Sequence, residues 1–175
     1  SPALDMDGTV YIGTADNALY SFASTGVLRW SYATPNDVDT SPAIGDDGLV
    51  YASVLADRVY AFEPSGVLRW SYAVRGQSPA IGPMKSLYVC SSDNNLYAFN
   101  DPMPAPAPWP MFHQNPDLTG RSPNRGPSAG ALEWSYATGE LINGSPAVDS
   151  AGRIYIGSDD NALYAHPDIA ALRDE

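Results

Sequence analysis

An all-β fold built from one repeated unit of four short antiparallel strands is predicted by three features of this sequence. The tripeptide Ser-Pro-Ala begins at Ser1, Ser41, Ser78 and Ser145, at spacings of 40, 37 and 67 residues. A tyrosine inside an apolar run follows at Tyr11, Tyr51, Tyr88 and Tyr155, with the same three intervals. A second tyrosine, at Tyr20, Tyr60, Tyr97 and Tyr164, repeats them again. A unit of about 40 residues and four strands cannot bury both faces of its sheet alone, so the units stack radially as the blades of a β-propeller.

Within the first unit the elements follow in order. Ser-Pro-Ala leads to the turn Asp5-Met6-Asp7-Gly8, then to two apolar runs at 9–13 and 18–22 and a last segment at 27–34. Each run is short, rich in Val, Ile, Tyr, Phe and Trp, and bounded by Gly, Asp, Asn or Ser, which is the composition of a strand between turns. In the last segment, period-two alternation places Leu28, Trp30 and Tyr32 on one face, with Arg29, Ser31 and Ala33 on the other. Leu68, Trp70 and Tyr72 repeat the apolar face in the second unit. The middle runs are apolar on both faces, as strands covered by sheets on either side must be. Trp30, Trp70 and Trp134 are therefore expected to fill the gaps between neighbouring blades.

The units do not divide the chain evenly. Three units are expected over 1–40, 41–77 and 78–100, the third without a local fourth strand. Phe22 and Leu28 are six positions apart, as are Phe62 and Leu68, whereas Phe99 and Leu132 are 33 apart. The extra 27 residues lie in the stretch 101–130, which opens on alternating prolines that favour an extended linker. The stretch 131–165 then holds a strand, Leu132 to Ala137, and a fourth unit. This strand either completes the third blade after the excursion or opens a second propeller. Residues 166–175 read as a polar, helix-prone tail, so the fourth unit lacks a Leu-x-Trp strand. About four units with the last one open describe an incomplete arc of a larger propeller, or one of two copies that pair to complete a ring.

Composition excludes several classes of function. The 175 residues carry 20 acidic and 9 basic side chains, a formal net charge of −11, and Lys85 is the sole lysine. Nucleic acid and anionic membrane surfaces need clustered cations and are poor partners for such a chain. With Cys90 the only cysteine, neither an intrachain disulfide nor a thiolate metal cluster can form. No run approaches the ~20 apolar residues of a membrane-spanning helix. The opening Ser1-Pro2-Ala3-Leu4 resembles neither a signal peptide nor a translation start, so the chain reads as a mature or excised piece.

The sequence predicts no catalytic or metal site. Asp5-Met6-Asp7-Gly8 is spelled like a calcium loop, but nothing after Gly8 supplies the further ligands such a loop needs. The cognate turns Gly45-Asp46-Asp47-Gly48 and Asp149-Ser150-Ala151-Gly152 keep the glycine and vary the acids, as a hairpin turn requires. His113 and His166 have no metal-ligand spacing and are expected in surface or capping roles. The Ser-Pro-Ala serines recur four times, and no nucleophile elbow or phosphate-binding glycine pattern is present.

Two segments, Tyr20-Ser-Phe-Ala-Ser-Thr-Gly-Val-Leu-Arg-Trp30 and Tyr60-Ala-Phe-Glu-Pro-Ser-Gly-Val-Leu-Arg-Trp70, resemble the tryptophan-docking repeat of pyrroloquinoline-quinone-like (PQQ-like) β-propellers, as do the strands at 1–13 and 145–157. In that family the motif runs Ala-x-Asp-x-x-Thr-Gly-Lys-x-x-Trp, the glycine bonding toward a neighbouring blade and the tryptophan stacking between blades. The resemblance thus assigns a blade-docking role to Gly26, Trp30, Gly66, Trp70 and Trp134. It also covers Trp109-Pro-Met-Phe and Thr119-Gly-Arg121, a pairing that flanks propeller ends in bacterial surface proteins.

Departures from the motif point away from enzymes. The stretch from Ser21 to Trp30 is one residue short of the family pattern, Ala23 replaces its aspartate, and Val27 and Val67 replace its lysine. The quinoprotein dehydrogenases of the family also use a cysteine pair, a carboxylate base and a bound calcium or lanthanide, and one cysteine makes no pair. The resemblance implies a non-catalytic scaffold without cofactor, exported to the bacterial periplasm or cell surface and binding protein or glycan through blade loops. A fragment of a PQQ- and calcium-dependent dehydrogenase is the alternative.

Overall fold

The structure is a computed structural model and describes residues 1–55, 57–82, 85–100, 120, 122, 125–149 and 152–166. The proline-rich stretch with Trp109 and His113, and the tail beyond His166, lie outside these residues.

Four antiparallel sheets follow one another along the chain. The first holds β1 (Ala3–Leu4), β2 (Val10–Thr14), β3 (Ala18–Phe22) and β4 (Leu28–Ala33) in sequence order. The second repeats it with β5 (Ala43–Ile44), β6 (Val50–Ser53), β7 (Arg58–Phe62) and β8 (Leu68–Ala73). The third holds β9 (Ala80–Ile81), β10 (Leu87–Cys90), β11 (Asn95–Phe99) and β12 (Leu132–Ala137). The fourth has three strands among the described residues, β13 (Ala147–Val148), β14 (Ile154–Gly157) and β15 (Leu163–His166). Of the two arrangements open for the Leu132–Ala137 strand, the pairing selects one: β12 lies antiparallel on β11, with Tyr97 opposite Ser135 and Ala98 opposite Trp134. The excursion therefore interrupts the third blade and rejoins it.

Three of the sequence expectations change. Leu28 and Leu68 leave the apolar face of their strands and are exposed, because the ladder skips a residue: Ser21 faces Trp30 but Phe22 faces Leu28, leaving Arg29 as a bulge. One inserted residue breaks the two-residue alternation beyond it. The second blade shows the same shift between Ala61 and Phe62. His166, expected in the tail, is the last residue of β15 and faces Ile154. It occupies the position that Phe22, Phe62 and Phe99 hold in the other blades, and its ring stacks on Trp134 at 4.8 Å rather than serving as a surface side chain.

Packing runs between blades. One apolar cluster joins Tyr11 and Leu19 of the first blade to Ile44, Val50, Tyr60 and Phe62 of the second. The other joins Tyr51 and Val59 of the second to Leu87, Val89 and Phe99 of the third and Ile154 of the fourth. The Ser-Pro-Ala alanines Ala3, Ala43 and Ala80 are fully buried on the innermost strands, where a small side chain lets neighbouring backbones converge. Ser78 Oγ accepts a 2.9 Å hydrogen bond from the Ser41 amide across two of these strands.

Candidate functional site

The blade junctions are the most elaborately built contacts in the molecule, and each is made by the same residues. Trp30 reaches from the outer strand of the first blade to the second. Its Nε1 donates to the Pro64 carbonyl at 2.8 Å, and its ring lies 5.8 Å from Phe62. Gly66, at φ +89°, admits that ring: a Cβ there would stand 2.7 Å from Trp30 Cγ. Trp70 repeats the contact one blade on, donating from Nε1 to the Pro127 carbonyl at 3.0 Å and lying 5.7 Å from Phe99. Its glycine is Gly130, where a Cβ would stand 2.5 Å from Trp70 Cε3.

Gly130 escaped the sequence reading, although Gly130-Ala-Leu-Glu-Trp134 has the spacing of Gly26-Val-Leu-Arg-Trp30 and could have been found by aligning on the tryptophan. Gly26 differs from its equivalents. Its φ is +82°, but a Cβ built there meets nothing within 4 Å, so its cradle holds no ring. Trp134 differs in the opposite sense: it stacks on His166 of the fourth blade, yet its buried Nε1 finds no acceptor among the described residues.

The loops at the two ends of the blades differ in charge chemistry. At one end, the carboxylates of the β1–β2 type of turn are ion-paired: Arg29 with Asp7 at 3.2 Å, Arg125 with Asp46 at 3.3 Å and Arg153 with Asp149 at 3.9 Å. Asp7 spends its other oxygen on the Thr9 amide. At the opposite end the β2–β3 type of turn carries Asp16, Asp57, Asp93 and Asp160, each accepting from the tyrosine of its own blade. The phenols of Tyr20, Tyr60, Tyr97 and Tyr164 donate at 2.9, 2.6, 2.7 and 2.6 Å. Asn17, Asn94 and Asn161 take positive φ in these turns, which their short side chains tolerate better than most.

At Asp16, Asp93 and Asp160 these bonds favour the ionised carboxylate. Hydrogen bonds from Thr14 and Tyr20 hold Asp16 below the ordinary carboxylate range, and the Tyr164 bond does the same at Asp160. At Asp93 burial pushes upward, but bonds from Tyr97, Asn95 and Ser91 outweigh it and the net direction is down. Tyr97 in turn is pushed up to about 12, by burial first and by its bond to Asp93 second. Exposed Asp37, Asp39, Glu140 and Asp159 lie at this same end, against Arg58, which stands 4.0 Å from Asp57, and exposed Arg75, so acidic side chains outnumber basic ones there. A cleft of about 320 Å³ opens there between the second and third blades, lined by Asp57, Ala73, Val74, Arg75, Ser92 and Asp93.

Among the described residues, the donors that a quinone and calcium would use are not brought together. Cys90, the one thiol, is fully buried between blades, where burial pushes its pKa up. Among the described residues no three His, Cys, Asp or Glu side chains converge on a point that could hold a metal ion.

Comparison with known proteins agrees with this architecture. Residues 1–101 match the family model described as outer membrane protein assembly factor BamB. No curated protein matches the sequence. Among solved structures, BamB from Moraxella catarrhalis is similar with a TM-score of 0.68 at 18% identity, over 93% of this chain and 47% of that one. The WD40 β-propeller domain of Doa1 gives 0.69 at 13% identity, over 94% and 49%. The computationally designed Ika4 protein gives 0.69 at 11% identity, over 95% and 89%. The chain thus spans about half the length of BamB and of the Doa1 domain, while it matches most of Ika4.

Proposed function

The chain belongs to the PQQ-like β-propeller family of the outer membrane protein assembly factor BamB, and from that premise we propose that it is a non-catalytic scaffold of the bacterial envelope that binds a protein partner through its acidic loop end. One observation carries the reading. A turn aspartate recurs in every blade at this end, each accepting from the tyrosine of its own blade, and only Asp57 has an arginine within 4.0 Å, whereas at the opposite end Asp7, Asp46 and Asp149 are each paired with an arginine. A surface of fixed negative charge on rigid turns favours a partner face rich in Lys and Arg, and steers its approach. The junction residues Gly66, Trp70 and their equivalents serve by holding the blades at a fixed pitch, so that the turns present a constant spacing. The reading needs no cofactor.

Capture from a bacterial envelope extract tests this. The unaltered chain is expected to retain a specific basic protein at low ionic strength and to release it as salt rises above about 0.15 M, where the screening length falls to about 8 Å. The combined variant Asp16→Asn, Asp93→Asn, Asp160→Asn keeps acceptors for the tyrosines and loses the charge. Retention of the same proteins by this variant at the same salt overturns the proposal.

A further inference from the structure

The connectors that carry the chain from one blade to the next differ in length, and the difference opens a site. From Trp30 to Ser41 and from Trp134 to Ser145 the chain takes 11 positions, whereas from Trp70 to Ser78 it takes 8. The longer connectors bond back to the acidic turns beside them. Thr34 donates its amide to the Asn17 carbonyl at 2.8 Å, and Thr138 donates its own to Asn94 at 2.7 Å. Beyond Thr138, Gly139 donates to Asp160 at 2.8 Å and Asn143 to Asp159 at 2.6 Å, so that connector lies over the turn of the fourth blade. The short connector has Val74 in the threonine's place and turns inward at once. Arg75 accepts from the Ser92 amide at 3.1 Å, and Gln77 donates to the Cys90 carbonyl at 2.7 Å. Three residues fewer leave the junction of the second and third blades uncovered, as the cleft of about 320 Å³ lined by Asp57, Ala73, Val74, Arg75, Ser92 and Asp93.

The cleft holds both signs of charge. Asp57 belongs to the turn of the second blade and Asp93 to that of the third, and each is fixed by a phenol, Tyr60 at 2.6 Å and Tyr97 at 2.7 Å. Arg75 comes from the connector, at the position where the other two connectors have Pro35 and Gly139. Among the described residues Arg29, Arg58, Arg69, Arg125 and Arg153 each have a carboxylate within 4.0 Å, and Arg75 has none. Its side chain is exposed, so water serves the guanidinium. A partner that covers the cleft removes that water. A uniformly basic face would then leave the guanidinium buried beside like charges without an acceptor, and a buried unpaired charge is costly. A carboxylate on the partner instead gives Arg75 a two-pronged, charge-assisted bond, while basic neighbours of that carboxylate reach Asp57 and Asp93.

We infer that this cleft is the specificity pocket of the acidic end and takes a glutamate or aspartate that stands between lysines or arginines of the partner. The partner's carboxylate lies on Arg75, and its flanking cations lie on Asp57 and Asp93. The inference rests on the reading that the acidic end binds a basic protein, and it adds which basic surfaces are accepted. A surface with an acid among its cations satisfies all three charges of the cleft, whereas one without it is rejected by repulsion at Arg75.

Two synthetic peptides, Lys-Lys-Glu-Lys-Lys and Lys-Lys-Gln-Lys-Lys, acetylated and amidated at their ends, are the probes. General attraction to an acidic surface ranks the glutamine peptide first, because it carries more positive charge. The pocket reverses that order. On the intact chain at low salt the glutamate peptide should bind about threefold tighter, the scale of one exposed charge pair, and should shift the amide resonances of Arg75, Ser92 and Asp93. Arg75→Gln should put the glutamine peptide first while leaving thermal unfolding unchanged, since the Arg75 side chain is exposed and has no ion pair to lose. Equal or tighter binding of the glutamine peptide to the unaltered chain, an order that Arg75→Gln does not change, or resonance shifts confined to another junction overturns the pocket. So does absence of binding by both peptides at about 1 mM. The reading of the acidic end as a protein-binding surface survives each of these results, because the capture experiment with the triple aspartate variant decides it separately.

Discussion

The second blade and the fourth are built on the same repeat, and among the described residues the second is covered on both faces while the fourth is covered on one. Ile44, Val50 and Phe62 are closed off by the first blade, and Tyr51 and Val59 by the third. In the fourth blade Ile154 is buried against the third, but Leu163 stands in solvent. The first blade shows the reverse pattern: Leu4, equivalent to fully buried Ile44, is 43% exposed, and Gly26 faces open space where Gly66 faces an indole. The repeat therefore encodes an interface more than a free-standing sheet, and the same residue is core or surface according to whether a neighbour is present.

The largest expected effect uses that contrast directly. Leu96→Ala removes a side chain enclosed by two blades and should cost about 2–5 kcal/mol in urea denaturation, the range for a buried leucine. Leu163→Ala removes the equivalent side chain from an open face and should change stability by less than about 0.5 kcal/mol. Equal losses would show that the fourth blade is enclosed in solution, and the comparison would fail.

Next comes the tryptophan cradle. Gly66→Ala places a Cβ against an indole and in a left-handed backbone conformation, for a combined loss of about 3 kcal/mol. Gly26→Ala carries the backbone cost alone, about 1 kcal/mol. Their difference isolates the docking contact from the turn that presents it. A smaller contrast lies in the indole N–H. Trp70→Phe breaks the bond to Pro127 and Trp134→Phe breaks none among the described residues, so the first should be more destabilising by about 1 kcal/mol.

How much of this was legible beforehand follows from where each feature is encoded. The four-stranded unit and its recurring tryptophan are written in local repeats, and in the structure Trp30 contacts Phe62 and Pro64 of the second blade while Trp70 contacts Phe99 of the third. The bulge at Arg29 was not legible, because an inserted residue leaves the alternation of letters unchanged while shifting the pairing. His166 was misplaced because its letter departs from the phenylalanine of the other repeats; only its position after Tyr164-Ala165 marked it as strand. Gly130 was hidden by the excursion that precedes it, and the division of charge between the two loop ends needs the topology, since acids from both ends alternate along the chain.

The smallest effect separates what a blade does alone from what its neighbours do for it. The Asp–Tyr bonds lie within single blades and recur in enclosed and open blades alike, so their response to pH should be independent of position in the arc. Asp16, Asp93 and Asp160 all have folded-state pKa values held below the ordinary carboxylate value. Below about pH 4 the unfolded chain takes up protons at these groups that the folded chain refuses. Their contribution is thus complete above that pH and is lost as pH falls through the lowered folded values. Asp93→Asn and Asp160→Asn should each make the acid limb of a stability–pH profile shallower by a similar small amount, the variant being slightly less stable near pH 7 and converging on the unaltered chain at low pH, since asparagine keeps the bond from the tyrosine and loses its charge. A clear response at Asp93 in the enclosed third blade with none at Asp160 in the open fourth would mean that the blade junction, and not the turn itself, sets the acidity of these aspartates.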